Sequence, residues 1–463
     1  MSLEQSGEIQ LDEGCEWRFE VPFKTILTLK VVDGIGEIFG TELPNDTEVH
    51  LTGAKAAVYA PLPAGCRFQY SCSLNKENVN ISSEDAKVSE YVSDESAVPA
   101  YTRLHFALDV KRQQAQASAA RGPVVMVVGG AQCGKTALVK ILASYAAKMD
   151  RCPLLVNLDP QQGVFSVPGS LTAAVVSDAL DLEAVGGWGE SPTSGAAFRQ
   201  PKQPLVKSYG FCAPQDNSEL FEHQAGALAA AAHERMASDA NVRASGMIID
   251  TPPWTMKDAD LVQKIVERFE VDVVIAVGGD RLAVDLRRTF QSRVDENRLD
   301  IVKVPRAGGV AEVDGAFLRK TQEDSIKEYF NGSRRTHLSP FKTDVDVKSV
   351  VIYKAVRLSE YTSQMAFLPS GDSYTQEDTK PDLALDKYYV RIEATSANLE
   401  NCVLAITQLD ASEEPSKLLE TSVLGYVHVS TVDDTKQRMS MLLPFPGQIP
   451  RKVLIATDIR YTE

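Results

Sequence analysis

Residues Val124 to Leu142 read VVMVVGGAQCGKTALVKIL. The apolar run predicts a buried strand, the glycines a turn, and the periodic apolar residues after Thr136 a helix. Within the stretch, Gly129 to Thr136 satisfies G-x-x-x-x-G-K-[ST], the phosphate-binding loop pattern, and each fixed position has a physical reason. Glycine lets the backbone curl around phosphate oxygens with no Cβ in the way. The turn then presents successive N–H groups and the positive end of the following helix to an anion. Lys135 is placed to reach β- and γ-phosphates, and the Thr136 hydroxyl to ligate Mg²⁺. The expected nucleotide contacts are Gly129, Gly130, Ala131, Gln132, Cys133, Gly134, Lys135, Thr136 and Ala137, with Cys133 a small spacer at a variable position. The plain alternative is a glycine turn with no ligand; a strand before the loop and a helix after it argue against that.

The chain has 463 residues and 44% hydrophobic content, enough for several domains with real cores. A formal charge of -15 excludes nucleic-acid binding by net charge alone, so any RNA contact is local and weak. The first residues, MSLEQSGEIQLDEGCEW, lack the basic and apolar regions of a secretory signal, and no apolar run reaches the roughly 20 residues of a membrane helix. Seven cysteines scattered from Cys15 to Cys402 without a CxxC pair fit reduced thiols of the cytosol or nucleus. The six histidines stand apart from them and suggest no zinc site.

Outward from the loop, the texture divides the chain. Short β-branched and aromatic runs between Glu16 and Ser93 (EWRFEV, TILTLKVVDG, TEVHL, AKAAVYAPL, CRFQYSC) predict a sandwich-like β domain over residues 1–99, with the polar Lys76–Ser96 stretch an extended edge or loop. AYTRLHFALDVKRQQ predicts a linking helix within 100–122. Alternating strands and helices over 123–335 predict an α/β core with a mostly parallel sheet. Residues 336–463 return to strands, interrupted by an acidic loop, Leu368–Asp382, expected to be mobile.

In the α/β core, PLLVNLD ends at Asp159 and GMIID at Asp250. Ligands bind outside the carboxyl ends of such strands, so both carboxylates share a rim with the phosphate loop. A helix cap or turn is the usual role of a lone aspartate. Two on one rim favour contact with Mg²⁺ or with an attacking water. Trp254, just after Pro252-Pro253, reads as a packed anchor, and the arginines at 281, 287, 288, 293 and 298 as a solvated helix face.

EIFGTEL, VVGG, NLDPQQ, VPG, IIDTP, EYF-G and LLPFPGQIP, taken together over nearly the whole chain, resemble the P-loop subunit of fungal mRNA cleavage and polyadenylation factor I. That family is similar to RNA 5′-hydroxyl kinases. The resemblance implies that Glu16 and Lys55, in EWRFE and GAKAAVY, hold the base side of ATP; residue by residue they would otherwise read as exposed charges. It implies a nuclear protein that binds other cleavage-factor subunits, notably the one that contacts the RNA polymerase II tail. That partner is expected as an extended peptide on the central and C-terminal domains.

The kinases carry arginines on a lid helix; here Gln322 and Ser325 stand in the matching places of AFLRKTQEDSIKEYF, leaving Arg319 and Lys320. They also have a glycine two residues after the strand-end aspartate, where this chain has Gln161, and the resemblance implies that an RNA base stacks where Trp254 stands. The catalytic candidate, Asp159, survives. The leading expectation is an ATP-holding scaffold without kinase turnover, and the alternative is an active RNA 5′-hydroxyl kinase. A guanine-nucleotide switch is disfavoured, because no N-K-x-D-like segment follows the late strands.

Overall fold

The computed structural model describes residues 5–75, 86–189, 203–366 and 385–462. The Leu368–Asp382 loop lies outside the described residues, as does much of the polar stretch after Lys76.

The N-terminal module is two antiparallel sheets. One has four strands, with Cys66–Leu74 and Thr25–Gly34 at its centre. The other sets Glu16–Val21 between Ala54–Tyr59 and Ser89–Ser93. Thr25–Gly34 alternates buried and half-buried side chains, the pattern of a strand with one face on a core. That core is built around Trp17, whose ring lies 5.1 Å from that of Phe68 and 4.9 Å from that of Phe19.

The connector helix, Val98–Ala117, buries more than its apolar positions. His105, Asp109 and Arg112 are also inside. Asp109 accepts from Arg151 at 2.9 Å, and Arg112 donates to the Ser245 carbonyl at 2.9 Å. Burial lowers the His105 pKa to about 4, so its ring is neutral at pH 7.

The central sheet has seven strands. Its heart is parallel: Leu154–Asn157, Met247–Asp250, Val124–Gly129, Val273–Val277 and Asp300–Val304, in that spatial order. Two further strands, Ser170–Val175 and Leu205–Ser208, extend one side antiparallel. The innermost strands are buried on both faces, so they read as unbroken apolar runs rich in Val and Ile.

A seven-stranded C-terminal sheet packs on the central unit and shares its largest apolar core. The seam also carries polar ties. Gln224 donates to the Tyr389 hydroxyl at 3.2 Å, and Asn217 to the Val356 carbonyl at 2.9 Å. Arg357 pairs with Asp216 on one side and Asp458 on the other. All seven cysteines are free thiols. Among the described residues no helix is long and apolar enough to cross a membrane.

At the centre of the seam, the fully buried Tyr329 hydroxyl accepts the Tyr426 backbone N–H at 2.8 Å. Tyr329→Phe removes that acceptor and leaves a buried donor unpaired. It should lower stability by about 1–3 kcal/mol in urea denaturation, and an unchanged midpoint would show that the seam does not depend on this bond.

Candidate nucleotide site

The phosphate loop leaves the central strand at Gly129 and enters a helix, Lys135–Lys148. Two glycines are required by contact. A Cβ at Gly129 would stand 2.5 Å from Cys133 Sγ and 2.8 Å from the Val277 carbonyl. Gly134 has φ near +90°, and a Cβ there would meet Val310 at 2.9 Å. Gly134 is the helix N-cap and offers no side-chain acceptor, so the first-turn N–H groups are open to an anion. Lys135 folds back over the loop and donates to the Gly130 carbonyl at 2.8 Å.

The two strand-end carboxylates converge beside it. Thr136 donates to Asp250 at 2.7 Å. The Gln162 amide bridges Thr136 Oγ1 at 3.2 Å and Asp159 at 3.0 Å. Asp159 also accepts the Gln161 backbone N–H, and Asn157 fixes the Asp159 backbone from below. Both carboxylates are buried, and burial raises both pKa values, that of Asp250 to about 6. The Thr136 bond and Lys135 oppose the rise at Asp250, while the neighbouring Asp159 charge adds to it.

Beside the loop opens a cavity of about 420 Å³. Ala131 to Ala137, Asp159 and Gln162 line one end; Glu16, Lys55, Tyr59 and Tyr101 line the other; a segment over residues 307–313 forms a side. The volume suits a nucleotide. Glu16 is on a central strand and buried, accepting from Arg18 at 2.7 Å and from Ser96. Its expected exposure as a lone charge is thus corrected: two neighbours in the fold compensate the buried carboxylate. Lys55 is half-buried, paired with Glu20 at 2.7 Å and donating to the Glu312 carbonyl. The structure therefore brings the two base-side candidates to the cavity wall, but each already has partners.

One residue escaped sequence reading. Lys140, one turn after Thr136, is buried with its ammonium 4.8 Å from the ring centres of both Phe39 and Trp188, and it donates to the Gly186 carbonyl. Burial lowers its pKa to about 8. A lysine on a helix gives no hint of this, since both aromatic partners are distant in sequence.

Profiles of three families match the chain: an N-terminal β-sandwich domain of polyadenylation factor over residues 10–115, the mRNA cleavage and polyadenylation factor CLP1 P-loop over 129–332, and the pre-mRNA cleavage complex II protein Clp1 over 338–463. Among curated relatives, the mRNA cleavage and polyadenylation factor CLP1 of Debaryomyces hansenii is 52% identical, across 100% of this chain and 96% of its own. The chain belongs to the CLP1 family. The Candida albicans member is 42% identical over 99% of this chain and 96% of its own. A solved wild-type Clp1p–Pcf11p complex superposes with a TM-score of 0.83 at 30% identity, covering 99% of both chains. A second Clp1p structure, describing an extended interface with Pcf11p and ATP loss in a glycine-to-arginine point mutant, gives 0.83 at 29% over the same shares.

The helix read as a lid by resemblance is Gly315–Asn331. Gln322 donates to the Gln161 carbonyl at 3.0 Å, and Ser325 Oγ lies 2.7 Å from where a Cβ on Gly163 would be. Both positions thus pack on the loop that carries Asp159. Lys320 is paired with Asp324 at 2.7 Å and Arg319 is exposed. Trp254 is only 2% exposed and packs near Val128, Val262 and Phe290, leaving no free ring face for an RNA base. The arginine-rich stretch is largely solvated: Arg281, Arg287, Arg288 and Arg298 are exposed, Arg281 and Arg298 beside Asp285 and Glu296, while Arg287 and Arg293 reach backbone carbonyls.

The raised Asp250 pKa gives nucleotide-free protein a pH signature. Its folded value of about 6 exceeds the ordinary 3.8, so between those values the folded state binds the extra proton. The contribution is complete below about pH 4 and is lost as pH rises through about 6. Asp250→Asn should flatten this part of the melting-temperature profile; wild type and variant tracking each other across the window would contradict it.

Proposed function

We propose that this protein is an ATP-holding subunit of the nuclear pre-mRNA 3′-end cleavage and polyadenylation machinery, and that it does not turn over as a kinase. Phosphates lie in the Gly129–Ala137 cradle under Lys135. Thr136 and Asp250, with Asp159 nearby, would hold Mg²⁺: a hydroxyl and buried carboxylates are the hard oxygen donors this ion takes, and phosphate oxygens and water complete its shell. Bound there, the ion would neutralise phosphate charge. Only two of these three side chains are carboxylates, so phosphate oxygens would supply much of the ion's shell. Glu16 and Lys55 would reach the base side once their present partners yield.

One observation carries the absence of turnover. Phosphoryl transfer needs mobile cations over the transferred group, and the cationic side chains lining the described cavity are Lys55, Lys135 and Lys140. Lys55 is paired with Glu20 and Lys140 is caged, leaving Lys135. At the two matched positions the lid offers Gln322 and Ser325 instead of arginines, Gln322 ties it to the Asp159 loop, Lys320 is held by Asp324, and Arg319 faces solvent. A missing lid cation costs 10³ or more in rate, about 4 kcal/mol of barrier. An acceptor RNA would also have to displace the Gln322 tie.

The division into 1–99, 100–122, 123–335 and 336–463 belongs to the same reading, with the partner docking on the last two domains. By analogy with the solved Clp1p–Pcf11p complexes, that partner is a Pcf11p-type subunit.

Wild-type protein given γ-labelled ATP and 5′-hydroxyl RNA should transfer no label, and Asp159→Ala should keep its nucleotide. Lys135→Ala should lose nucleotide and melt lower, by the equivalent of about 2.7 kcal/mol at a hundredfold excess of ligand over Kd. Labelled RNA that disappears with Asp159→Ala would establish the kinase instead.

A further inference from the structure

A strap, residues 307–313, runs from the strand Asp300–Val304 to the lid helix Gly315–Asn331 and forms one side of the cavity through Ala307, Gly309, Val310, Ala311 and Val313. It has no secondary structure of its own over most of this length, and several of its residues are exposed. It is pinned from two sides. On the phosphate-loop side, Gln132 donates to the Val313 carbonyl, and Val310 sits against Gly134.

On the other side the N-terminal module reaches across. Lys55 donates to the Glu312 carbonyl and lies 5.1 Å from the Phe317 ring centre. Phe23 packs on Phe317 with ring centroids 4.8 Å apart. The Phe23 ring is itself seated on Gly53, whose φ is near +55° and where a Cβ would come within 2.3 Å of the ring. Further along, the Arg18 side chain lies so close to Gly309 that a Cβ there would be 2.6 Å from its Nε.

The cavity's other inter-module wall is firmer. There Glu37 accepts from Lys148 at 2.9 Å and from Tyr145, and Thr41 meets Ser144 at 3.2 Å. All these contacts join strands to the regular helix Lys135–Lys148. A wall of loop held by a few contacts opens at lower cost than a packed strand–helix seam.

We propose that the Phe23–Phe317 pair is a latch that holds the strap shut and sets the rate at which nucleotide leaves. The proposal rests on the reading that ATP is retained. Phe23 and Phe317 do not line the cavity, so their influence on nucleotide passes through the strap. They are positioning residues, and opening the latch speeds both entry and exit.

The test uses full-length protein loaded with a ribose-labelled fluorescent ATP and chased with excess ATP. Phe23→Ala and Phe317→Ala should each release the label about tenfold faster, the rate equivalent of one lost aromatic contact. The double variant should be no faster than either single, because the two rings form one contact. Association should accelerate as well, so Kd moves less than the off-rate. Phe23→Leu, which keeps apolar bulk on Gly53, should retain most of the slow release and reports even where an alanine variant folds poorly. Single variants that release at the wild-type rate, or effects that multiply in the double variant, would overturn the latch. Wild type that exchanges nucleotide within the mixing time would overturn both the latch and the retention reading beneath it.

Discussion

Two buried carboxylates, Asp159 and Asp250, end adjacent parallel strands beside a glycine loop whose helix N–H groups have no side-chain cap. Neither half of this arrangement is content alone. The carboxylates are pushed toward protonation by burial, and the loop presents donors and Lys135 to an anion. A phosphate chain with a divalent cation satisfies both at once. Thr136 and Gln162 already cross-link the two sides, so the site is preorganised around that charge pattern.

From this point the modules arrange themselves. The parallel sheet fixes the carboxylates and the loop on one rim; the N-terminal module and the 307–313 strap complete the enclosure. Nucleotide in such a place is part of the contact between modules, and its binding free energy adds to that of the fold. The proposed separation of binding from transfer rests on this contrast: cradle and carboxylates are present, while Gln322 and Ser325 pack neutral side chains on the Asp159 loop.

The phosphate loop and the inner parallel strands were legible because unbroken apolar runs rich in Val and Ile mark strands buried on both faces. Ser170–Val175 was missed: SLTAAV is fully buried but small and mildly polar, with neither alternation nor β-branched weight to mark it. Phe341–Asp346, FKTDVD, is an edge strand whose residues are half-exposed or exposed, and only Val345 of it packs on the core, so its alternation is weakly apolar. In the site, the loop, Asp159 and Asp250 could be found by motif. Glu16 and Lys55 came only through family resemblance, since their burial depends on Arg18, Ser96 and Glu312. The strap was illegible, because AGGVAEV acquires its role only from lying between the lid helix and a module some 250 residues upstream in sequence.

The central claim is that ATP is held intact as part of the structure. Protein purified with its bound nucleotide, incubated with Mg²⁺ and 5′-hydroxyl RNA for hours, then denatured and its nucleotide separated by ion-exchange chromatography, tests this most directly. The expected product is one ATP per chain with its γ-phosphate in place. Recovery of ADP, or of chains with no nucleotide, would contradict it.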